Sequence, residues 1–167
     1  MKSTKRHKQK SKFPLISFVT PTFNSRKYLD SYLKSIQTQN YPQDKIEILF
    51  VDGGSKDSTL EFAKKHNIRV IKNNLILGDP GFAIGGEKAR GDFIVFMGHD
   101  NELVQNNWIN LMLKPFMDNE SIAAAYPHLE NKTTDGWLTK YVNRFTDPGN
   151  HFVYGYANNP LTFHKEY

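Results

Sequence analysis

The sequence predicts an α/β fold in which helices cover both faces of a mostly parallel sheet. Short runs of apolar and β-branched residues alternate with segments whose apolar residues recur at helical spacing. Polar turns follow three of the predicted strands, at residues 21–24, 52–55 and 98–102. Strands that alternate with helices form parallel sheets through right-handed crossovers, and such sheets bind ligands at the carboxyl ends of their strands.

The first strand is predicted at residues 15–20, an apolar run that ends before Pro21. Asn24 and Ser25 are expected to cap the following helix. The apolar residues of this helix share one face: Tyr28, Leu29, Tyr32, Leu33 and Ile36. The helix should end before Tyr41-Pro42, because the residue that precedes a proline is disfavoured in the helical region.

The remaining elements are predicted in the same way. Further strands are expected at residues 46–51, 68–71, 92–97 and 122–126, the one at 92–97 being fully buried. Ser58 and Glu61 form a capping box at the start of the second helix, and a further helix is predicted at residues 108–116. Residues 78–86 are predicted to be a glycine-rich loop. From about residue 127 the periodicity is lost.

The composition favours one folded core. The chain has 167 residues, of which 38% are hydrophobic and 13% aromatic. A typical domain has about 100–150 residues, so this length allows one domain with appendages. The apolar fraction is sufficient to form a core and argues against a disordered chain.

The positive charge of the chain is concentrated at its amino terminus. The formal net charge is +5, and residues 1–12 contain six lysines and arginines and no acid. Removing these six charges leaves a net charge of −1 for the rest. The body therefore lacks the cationic surface that nucleic-acid binding requires, and we expect no nucleic-acid partner. Two interpretations of the basic tail stay open: a disordered solubiliser, or a segment that contacts anionic lipid headgroups.

The sequence contains no cysteine, which is compatible with a reducing cytosol. The apolar run at residues 13–19 ends in TPTFN rather than in a small-residue cleavage site, so it is not interpreted as a signal peptide. Every apolar stretch is far shorter than the roughly 20 residues of a membrane-spanning helix. We expect a cytoplasmic protein whose contact with the membrane, if any, is peripheral and at the inner face.

Four segments follow one another in a recognisable order. They are ISFVTPTFN (16–24), SIQTQNYP (35–42), ILFVDGGSKDST (48–59) and ARGDFIVF (89–96), and the last leads to an acidic turn at Asp100. In order and spacing they resemble the first part of family 2 glycosyltransferases of the GT-A fold. The resemblance covers roughly residues 15–118. It implies a GT-A-like, Rossmann-like sheet, with a C-terminal part that is incomplete or irregular in this chain.

The resemblance also implies an activity. Family members transfer a sugar from a nucleotide diphosphate donor, UDP- or GDP-linked, to an acceptor hydroxyl, with inversion expected here. Such transfers build glycans, polysaccharides and glycolipids. On this basis residues 13–126 are expected to form the nucleotide-sugar-binding domain behind a basic tail at residues 1–12. Residues 127–167 would then begin an acceptor-side region that is truncated.

Residues at the ends of the first two strands are implied to line the pocket for the donor's base and ribose: Pro21, Thr22, Phe23, Asp52, Gly53 and Ser55. A carboxylate can accept hydrogen bonds from a base imide or a ribose hydroxyl, and glycine lets the backbone approach a ligand closely. Alternatively, Asp52 only caps the turn into the next helix. Many family members carry a second acid where this chain has Gly53, so the base contact falls on Asp52 or is lost.

The predicted loop at residues 78–86 departs from the family. Members often place an arginine or lysine there that reaches the donor, and this chain has Phe82 and Ala83 instead. Asp79 is a candidate for contacting the sugar or the ribose. An Asp-Pro turn explains the same residue equally well.

The turn at residues 98–101 stands where the family places its Asp-x-Asp metal motif. Its first acid is replaced by Gly98, and Asp100 matches the last acid, the one usually bound to metal. Asp100 is therefore the catalytic and metal-binding candidate. Mg²⁺ or Mn²⁺ takes oxygen ligands from protein, diphosphate and water, so one protein carboxylate can suffice. His99 either contacts the diphosphate, serves as a ligand, or is a solvent-exposed residue at a strand end.

An inverting transferase also needs a general base for the acceptor hydroxyl. Glu130 and Asp135 are the nominated residues, although neither lies in a recognisable motif. A nucleotidyltransferase is the main alternative enzyme, but it requires a glycine-rich loop with a basic residue after the first strand. A truncated or non-catalytic nucleotide-sugar-binding module is the other alternative. Rossmann dehydrogenase and P-loop signatures are absent from the sequence.

Overall fold

The computed structural model describes residues 13–127 together with residues 133, 134, 136 and 137. The chain divides into two compact units, Met1–Asn110 and Leu111–Tyr167. The sheet and the predicted donor-side residues belong to the first unit. None of the described helices has the length and hydropathy that a bilayer-spanning segment requires.

Four parallel strands form the sheet within the described residues. They are β1 (Ile16–Thr22), β2 (Ile46–Asp52), β3 (Arg69–Lys72) and β4 (Phe93–Phe96). Their order is β3-β2-β1-β4, so β1 and β2 are the central strands. In this register Thr22, the last residue of β1, pairs with Asp52, the last residue of β2. The predicted parallel α/β sheet is therefore confirmed.

Four α-helices lie within the part of the chain that the structure describes. They are α1 (Leu29–Gln37), α2 (Thr59–Lys65), α3 (Gly78–Lys88) and α4 (Trp108–Asp118). Short 3₁₀ turns precede α1 and β2, at Arg26–Tyr28 and Gln43–Lys45. The predicted second and last helices thus form close to their expected positions, and α1 begins one residue after Tyr28.

Helices cover both faces of the sheet, as predicted. Successive residues of β1 point to opposite faces. On one face the hydroxyl of Tyr32 in α1 lies 2.5 Å from that of Thr20, and the Tyr32 ring lies 6.1 Å from that of Phe50. On the other face α3 packs against Val19, where Gly85 makes the closest approach.

The predicted glycine-rich loop at residues 78–86 is wrong, because these residues form α3. Gly81 and Gly85 are four apart and so lie on one face of the helix. A Cβ atom at Gly81 would lie 2.9 Å from Pro21 Cβ, and one at Gly85 only 2.2 Å from Val19 Cγ1. Close packing of the helix face that carries Gly81 and Gly85 against the sheet therefore outweighs the low helix propensity of glycine. Pro80 lies in the first turn, where a missing N–H is tolerated.

The predicted burial of the fourth strand is also wrong. β4 is an edge strand of the described sheet, and Ile94 and Phe96 are exposed. The strand predicted at residues 122–126 does not form; residues 122–127 have no regular structure. Three consecutive alanines, which have little strand propensity, occupy its centre.

The predicted helix caps are replaced by other contacts. Neither Ser25 nor Ser58 makes a side-chain cap hydrogen bond, so the capping box does not form. Asp57 Oδ1 instead accepts a 3.0 Å hydrogen bond from Thr59 N at the start of α2. Asn24 adopts a left-handed backbone (φ 50°), and its Oδ1 accepts a 2.8 Å hydrogen bond from Lys56 N. Asn24 therefore joins two loops rather than capping α1.

Glu47 joins several elements through one carboxylate. Its Oε2 accepts hydrogen bonds from Ser17 Oγ (2.6 Å) and Arg90 N (2.9 Å), and its Oε1 accepts one from Arg69 (3.2 Å). Partial burial alone would raise the pKa of Glu47, but these hydrogen bonds and the positive charge of Arg69 together hold it below its usual value. The ionised carboxylate thus links β1, β2 and β3 to the segment that precedes β4.

Candidate functional site

The ends of β1 and β2 are joined by two hydrogen bonds. Thr22 Oγ1 donates to Asp52 Oδ2 at 2.8 Å, and Gly53 N donates to the Thr22 carbonyl at 2.8 Å. The second bond extends the ladder of the parallel pair by one residue beyond Asp52. Thr22, Asp52 and Gly53, all predicted to line a donor pocket, therefore lie side by side.

Asp52 organises the turn that follows β2. Its Oδ1 accepts hydrogen bonds from Gly54 N and Ser55 N, both at 2.8 Å, and its Oδ2 accepts one from Ser55 Oγ at 2.6 Å. With the Thr22 hydroxyl, four donors occupy a carboxylate that has about four acceptor sites. The side chain is only 4% exposed. Asp52 has the geometry of a turn-capping residue, and its carboxylate is used within the protein.

Ser55 connects the turns that follow β1 and β2. Its hydroxyl, which donates to Asp52, also accepts a 2.9 Å hydrogen bond from Asn24 N. Nearby, Arg26 N donates to Asp57 Oδ2 at 3.0 Å. Desolvation alone would raise the pKa of Asp57, but hydrogen bonds from Thr59 and from the Arg26 backbone together lower it. These bonds hold the two turns together as one surface.

Ile76 covers Gly53 and was not among the residues predicted from the sequence. A Cβ atom at position 53 would lie 3.2 Å from both Ile76 Cα and the Ile76 carbonyl oxygen. Ile76 has a φ of 65°, which a β-branched residue rarely adopts. No sequence signal identifies such a residue, because its neighbours Leu75 and Leu77 are equally apolar.

His99 belongs to the turn that follows β4, and its ring packs against the carboxyl end of β1. Its Nδ1 is 3.2 Å from the Pro21 carbonyl oxygen, and its ring lies 5.5 Å from that of Tyr28. In the tautomer that carries the proton on Nδ1, this contact is a hydrogen bond and leaves Nε2 as a free acceptor. The structure thus brings the predicted residues Pro21 and His99 together.

Asp100 is exposed in the turn that follows β4. Asn101 N donates to the Gly98 carbonyl at 3.2 Å, which closes the turn. A Cβ atom at Gly98 would lie 2.8 Å from Asp100 Oδ1, so the carboxylate folds back over the glycine. Among the described residues no group of three or more potential ligand side chains is assembled. The carboxylate of Asp100 offers an oxygen donor of the kind that hard cations such as Mg²⁺ and Mn²⁺ prefer.

α3 brings further predicted residues towards the end of β1. Asp79 is exposed in the first turn of α3, two residues before Gly81, which packs on Pro21. Phe82, which stands where the family often has a cation, packs against the core around Val19 and lies 5.6 Å from the ring of Phe96. Phe82 therefore contributes to the hydrophobic core. The nominated bases Glu130 and Asp135 lie outside the described residues.

Gln39, which lies in the SIQTQNYP segment but was not predicted to have a role, fixes the segment that follows the Asp100 turn. Its Nε2 donates to the carbonyls of Gln105 (2.8 Å) and Ser35 (3.2 Å), and its Oε1 accepts a 3.2 Å hydrogen bond from Ile109 N. All three hydrogen bonds of this side chain are made with backbone groups, and the side chain is buried. Gln39 thus ties the end of α1 to the start of α4.

These features define the chain as an α/β protein whose candidate site lies at the carboxyl ends of its parallel strands. The glycosyl transferase family 2 model matches residues 17–164. The chain therefore belongs to glycosyl transferase family 2, which confirms the resemblance seen in the sequence.

Individual relatives agree with this assignment. Over 103 residues the chain is 38% identical to a dolichyl N-acetyl-alpha-D-glucosaminyl phosphate 3-beta-D-2,3-diacetamido-2,3-dideoxy-beta-D-glucuronosyltransferase of Methanococcus voltae, covering 55% of this chain and 32% of the relative. The structure of Staphylococcus aureus TarS 1–349 in complex with UDP is 25% identical, with a TM-score of 0.53, and the match covers 62% of this chain and 33% of that TarS fragment. The chain thus spans about a third of the length of these relatives.

A third comparison supports the fold alone. The mannosyltransferase PcManGT of Pyrobaculum calidifontis, in complex with GDP-Man and Mn²⁺, has a TM-score of 0.55 at 21% identity, over 62% of this chain and 32% of that protein. The agreement of these structures with the observed sheet and helices confirms the predicted GT-A-like fold.

Proposed function

We propose that this chain transfers a sugar from a UDP- or GDP-linked donor to an acceptor hydroxyl during the synthesis of a glycan, polysaccharide or glycolipid. One observation carries the proposal. His99 contacts the Pro21 carbonyl, so the turn that bears Asp100 adjoins the paired ends of β1 and β2. A donor site needs this adjacency, because the nucleoside and the diphosphate of one ligand must be bound together. Membership of glycosyl transferase family 2 supports the same function.

The nucleoside side of the proposed site is formed by the last residues of β1 and β2 and by the turns that follow them. Its residues are Pro21, Thr22, Phe23, Asp52, Gly53 and Ser55. Phe23 is exposed, whereas Thr22 and Asp52 are buried beneath the turn surface and maintain its shape. Asp79, exposed on α3, is proposed to contact the ribose or the donor sugar.

Asp100 is proposed to hold Mg²⁺ or Mn²⁺ together with diphosphate oxygens and water. A divalent cation offsets the negative charge that develops on a leaving diphosphate. The exposed carboxylate of Asp100 is available for this role. His99 is proposed to contact the diphosphate or to act as a further ligand, since the Pro21 carbonyl orients its ring. The Mn²⁺ present in the PcManGT complex is consistent with this choice of metal.

Transfer is proposed to proceed with inversion. The acceptor hydroxyl then attacks the anomeric carbon on the side opposite the leaving diphosphate, while a general base removes its proton. Glu130 and Asp135 remain the proposed candidates for this base. Residues 127–167 are proposed to begin the acceptor side.

A non-catalytic nucleotide-sugar-binding module is the second candidate function. Two observations favour it: Gly98 removes one acid from the turn, and Phe82 is used for packing where the family often has a cation. Donor hydrolysis distinguishes the two. An enzyme should release the nucleotide diphosphate slowly in the presence of Mn²⁺, whereas a binding module should not.

The cellular setting is proposed to be the cytoplasm, with peripheral contact to the inner face of the membrane through residues 1–12. The six positive charges of this segment are suited to anionic lipid headgroups. Sedimentation with vesicles that contain anionic lipid tests this contact. Binding should fall on removal of the basic charges and with rising salt.

Calorimetry with UDP and GDP tests the proposed donor site. We expect binding that requires Mn²⁺ and that weakens by about tenfold or more in Asp100→Asn, because a charged ligand to the metal is lost. Asp44→Asn is the matched control, since Asp44 is an exposed acid in the 3₁₀ turn before β2. Failure of both nucleotides to bind with metal, or equal binding by Asp100→Asn, would contradict the proposal.

A further inference from the structure

Residues 13–15 lie at the amino end of the sheet, the end at which the parallel strands begin and opposite to the candidate site. The Phe13 ring packs against that of Tyr41 at 5.5 Å, and the Tyr41 hydroxyl donates a 2.6 Å hydrogen bond to the Pro14 carbonyl. Leu15 N donates to Asp92 Oδ2 at 2.9 Å. Residues 1–12, with their six positive charges, therefore join the folded chain at the amino end of the sheet.

The helices distribute acids and bases between the two ends of the sheet. Each of α1, α2 and α3 connects the carboxyl end of one parallel strand to the amino end of the next, so each helix ends near the amino end of the sheet. The first turns of these helices contain one acid each: Asp30, Glu61 and Asp79. Their last turns contain the bases Lys34, Lys64, Lys65 and Lys88. Helix dipoles favour this distribution, and it collects bases at the amino end.

Two arginines add to the positive charge of the amino end. Arg69 Nη1 lies 3.2 Å and Arg90 Nε lies 3.9 Å from the same atom, Glu47 Oε1, so one carboxylate offsets only one of the two charges. The Arg90 side chain is 71% exposed. Its guanidinium is suited to phosphate groups, because the planar set of N–H donors matches phosphate oxygens.

Acids at the amino end offset part of this charge. Besides Glu47 they are Asp44, Glu87 and Asp92. The exposed bases of this end outnumber its exposed acids, even before the six charges of residues 1–12 are added. At the carboxyl end of the sheet the exposed acids outnumber the exposed bases. The two ends therefore differ in the sign of their charge.

We propose that the amino end of the sheet, together with residues 1–12, is the surface that docks on a bilayer of anionic lipids. This inference rests on the membrane contact proposed above for residues 1–12, and it goes beyond that contact by including the folded domain and fixing its orientation. β1 has seven residues, so at about 3.3 Å per residue the two ends of the sheet lie roughly 20 Å apart. This separation is about two Debye lengths at 0.1 M salt. Charges at the carboxyl end consequently contribute little to docking, and the candidate site faces away from the headgroups.

Sedimentation with vesicles of phosphatidylcholine and phosphatidylglycerol in equal parts tests the contribution of the folded domain. The double variant Lys88→Gln with Arg90→Gln removes two exposed charges from the amino end. Its binding to these vesicles should weaken by about tenfold or more. The double variant Lys56→Gln with Lys72→Gln is the matched control, since it removes two exposed charges from the carboxyl end and should weaken binding by less than about threefold.

The orientation can be measured with single thiol labels, because the chain contains no cysteine. Gln43→Cys places a thiol in the turn before β2, at the amino end, and Asn74→Cys places one in the turn after β3, at the carboxyl end. Both positions are exposed and uncharged. A fluorophore on each thiol is mixed with the same vesicles carrying a nitroxide on the lipid headgroup. We expect the label at position 43 to be quenched and the label at position 74 to keep its fluorescence.

Equal losses of binding in the two double variants would overturn the inference while the contact through residues 1–12 stands. Quenching at position 74 that equals or exceeds that at position 43 would overturn it as well. If the unsubstituted chain does not bind the anionic vesicles, the proposed membrane contact fails together with the inference. The donor site is tested separately by the calorimetry with UDP and GDP, so its failure is distinguishable from each of these results.

Discussion

Thr22 and Asp52 are joined at the ends of the two central strands by a 2.8 Å hydrogen bond from the threonine hydroxyl to the carboxylate. Both side chains are buried. The bond therefore contributes to the stability of the sheet and also fixes the turn on which the proposed nucleoside site is built. Removal of this hydrogen bond should lower the free energy of unfolding of the first unit.

Thr22→Val keeps the shape of the side chain but removes the donor. We expect a loss of about 1–3 kcal/mol in the free energy of unfolding, because a buried carboxylate loses one of its partners. Urea unfolding measures this loss. Thr38→Val, at an exposed position after α1, should change stability by less than about 0.5 kcal/mol. Equal effects of the two substitutions would contradict the role assigned to Thr22.

Two adjacent glycines of α3 should respond in opposite ways to alanine. In Gly85→Ala the new Cβ would lie 2.2 Å from Val19 Cγ1 and 2.8 Å from Val51 Cγ2, so overpacking should destabilise the protein by about 1–3 kcal/mol or more. In Gly86→Ala the nearest atom is Phe96 Cζ at 3.2 Å, on an exposed ring that can move aside. The higher helix propensity of alanine, worth up to about 1 kcal/mol, should then make this variant neutral or more stable. Denaturant unfolding measures the free energy of unfolding of both variants. A Gly85→Ala protein as stable as Gly86→Ala would contradict the close packing of Gly85 against Val19 and Val51.

Glu47 should make stability depend on pH in the acidic range. Its pKa is lower in the folded chain than the usual value of 4.5, so the ionised carboxylate stabilises the fold above that pH. This contribution should be lost as the pH falls through the folded-state pKa. Glu47→Gln should therefore be less stable at pH 7, by about 1–3 kcal/mol, and the difference should shrink below about pH 4.5. Urea unfolding between pH 7 and pH 3 measures it.

The exposed Glu61 of α2 provides the control for this pH dependence. Glu61→Gln should show no comparable difference from the unsubstituted chain at any pH. A Glu47→Gln difference that stays constant down to pH 3 would show that the ionised carboxylate is not its source.

Gln39 should control the order of the segment between the Asp100 turn and α4. Gln39→Ala leaves the Ile109 amide without its side-chain acceptor and removes one of the two donors to the Gln105 carbonyl, so hydrogen exchange at the Ile109 amide should accelerate. We also expect a loss of about 1–3 kcal/mol in stability. Gln37→Ala, on the exposed side of α1, should leave both quantities unchanged. Unaltered exchange at Ile109 in Gln39→Ala would show that the segment is held by other contacts.

The fold was predictable because its signals are local. The apolar runs that became β1 and β2 are short, continuous and separated by residues with helical spacing, so element type and parallel topology follow from the sequence. The error at α3 has the opposite origin. Its glycines predict a loop by propensity, and only the nearness of Val19 and Val51 explains why a helix forms there. The exposure of β4 likewise depends on its position at the sheet edge, which no local pattern records.

The candidate site was predictable in its motif residues and not in its supporting contacts. The sequence placed Pro21, Asp52 and His99 after strands, and the structure brings Pro21 and His99 into contact. It could not indicate that the Asp52 carboxylate is fully occupied by the protein's own donors, since that depends on distances across two turns. Ile76 was equally hidden, because its role follows from a backbone angle and from the lack of a side chain at Gly53.

The glycine content of α3 has a consequence for the order of folding. Four of its eleven residues are glycine, so the isolated segment has little tendency to be helical. Its helical state depends on contact with β1 and β2, which must already be paired to present the surface on which Gly81 and Gly85 rest. The helix should therefore be absent from the folding nucleus and consolidate late. The carboxyl end of β1, where Pro21 packs against Gly81, would then be completed only in the last stage of folding.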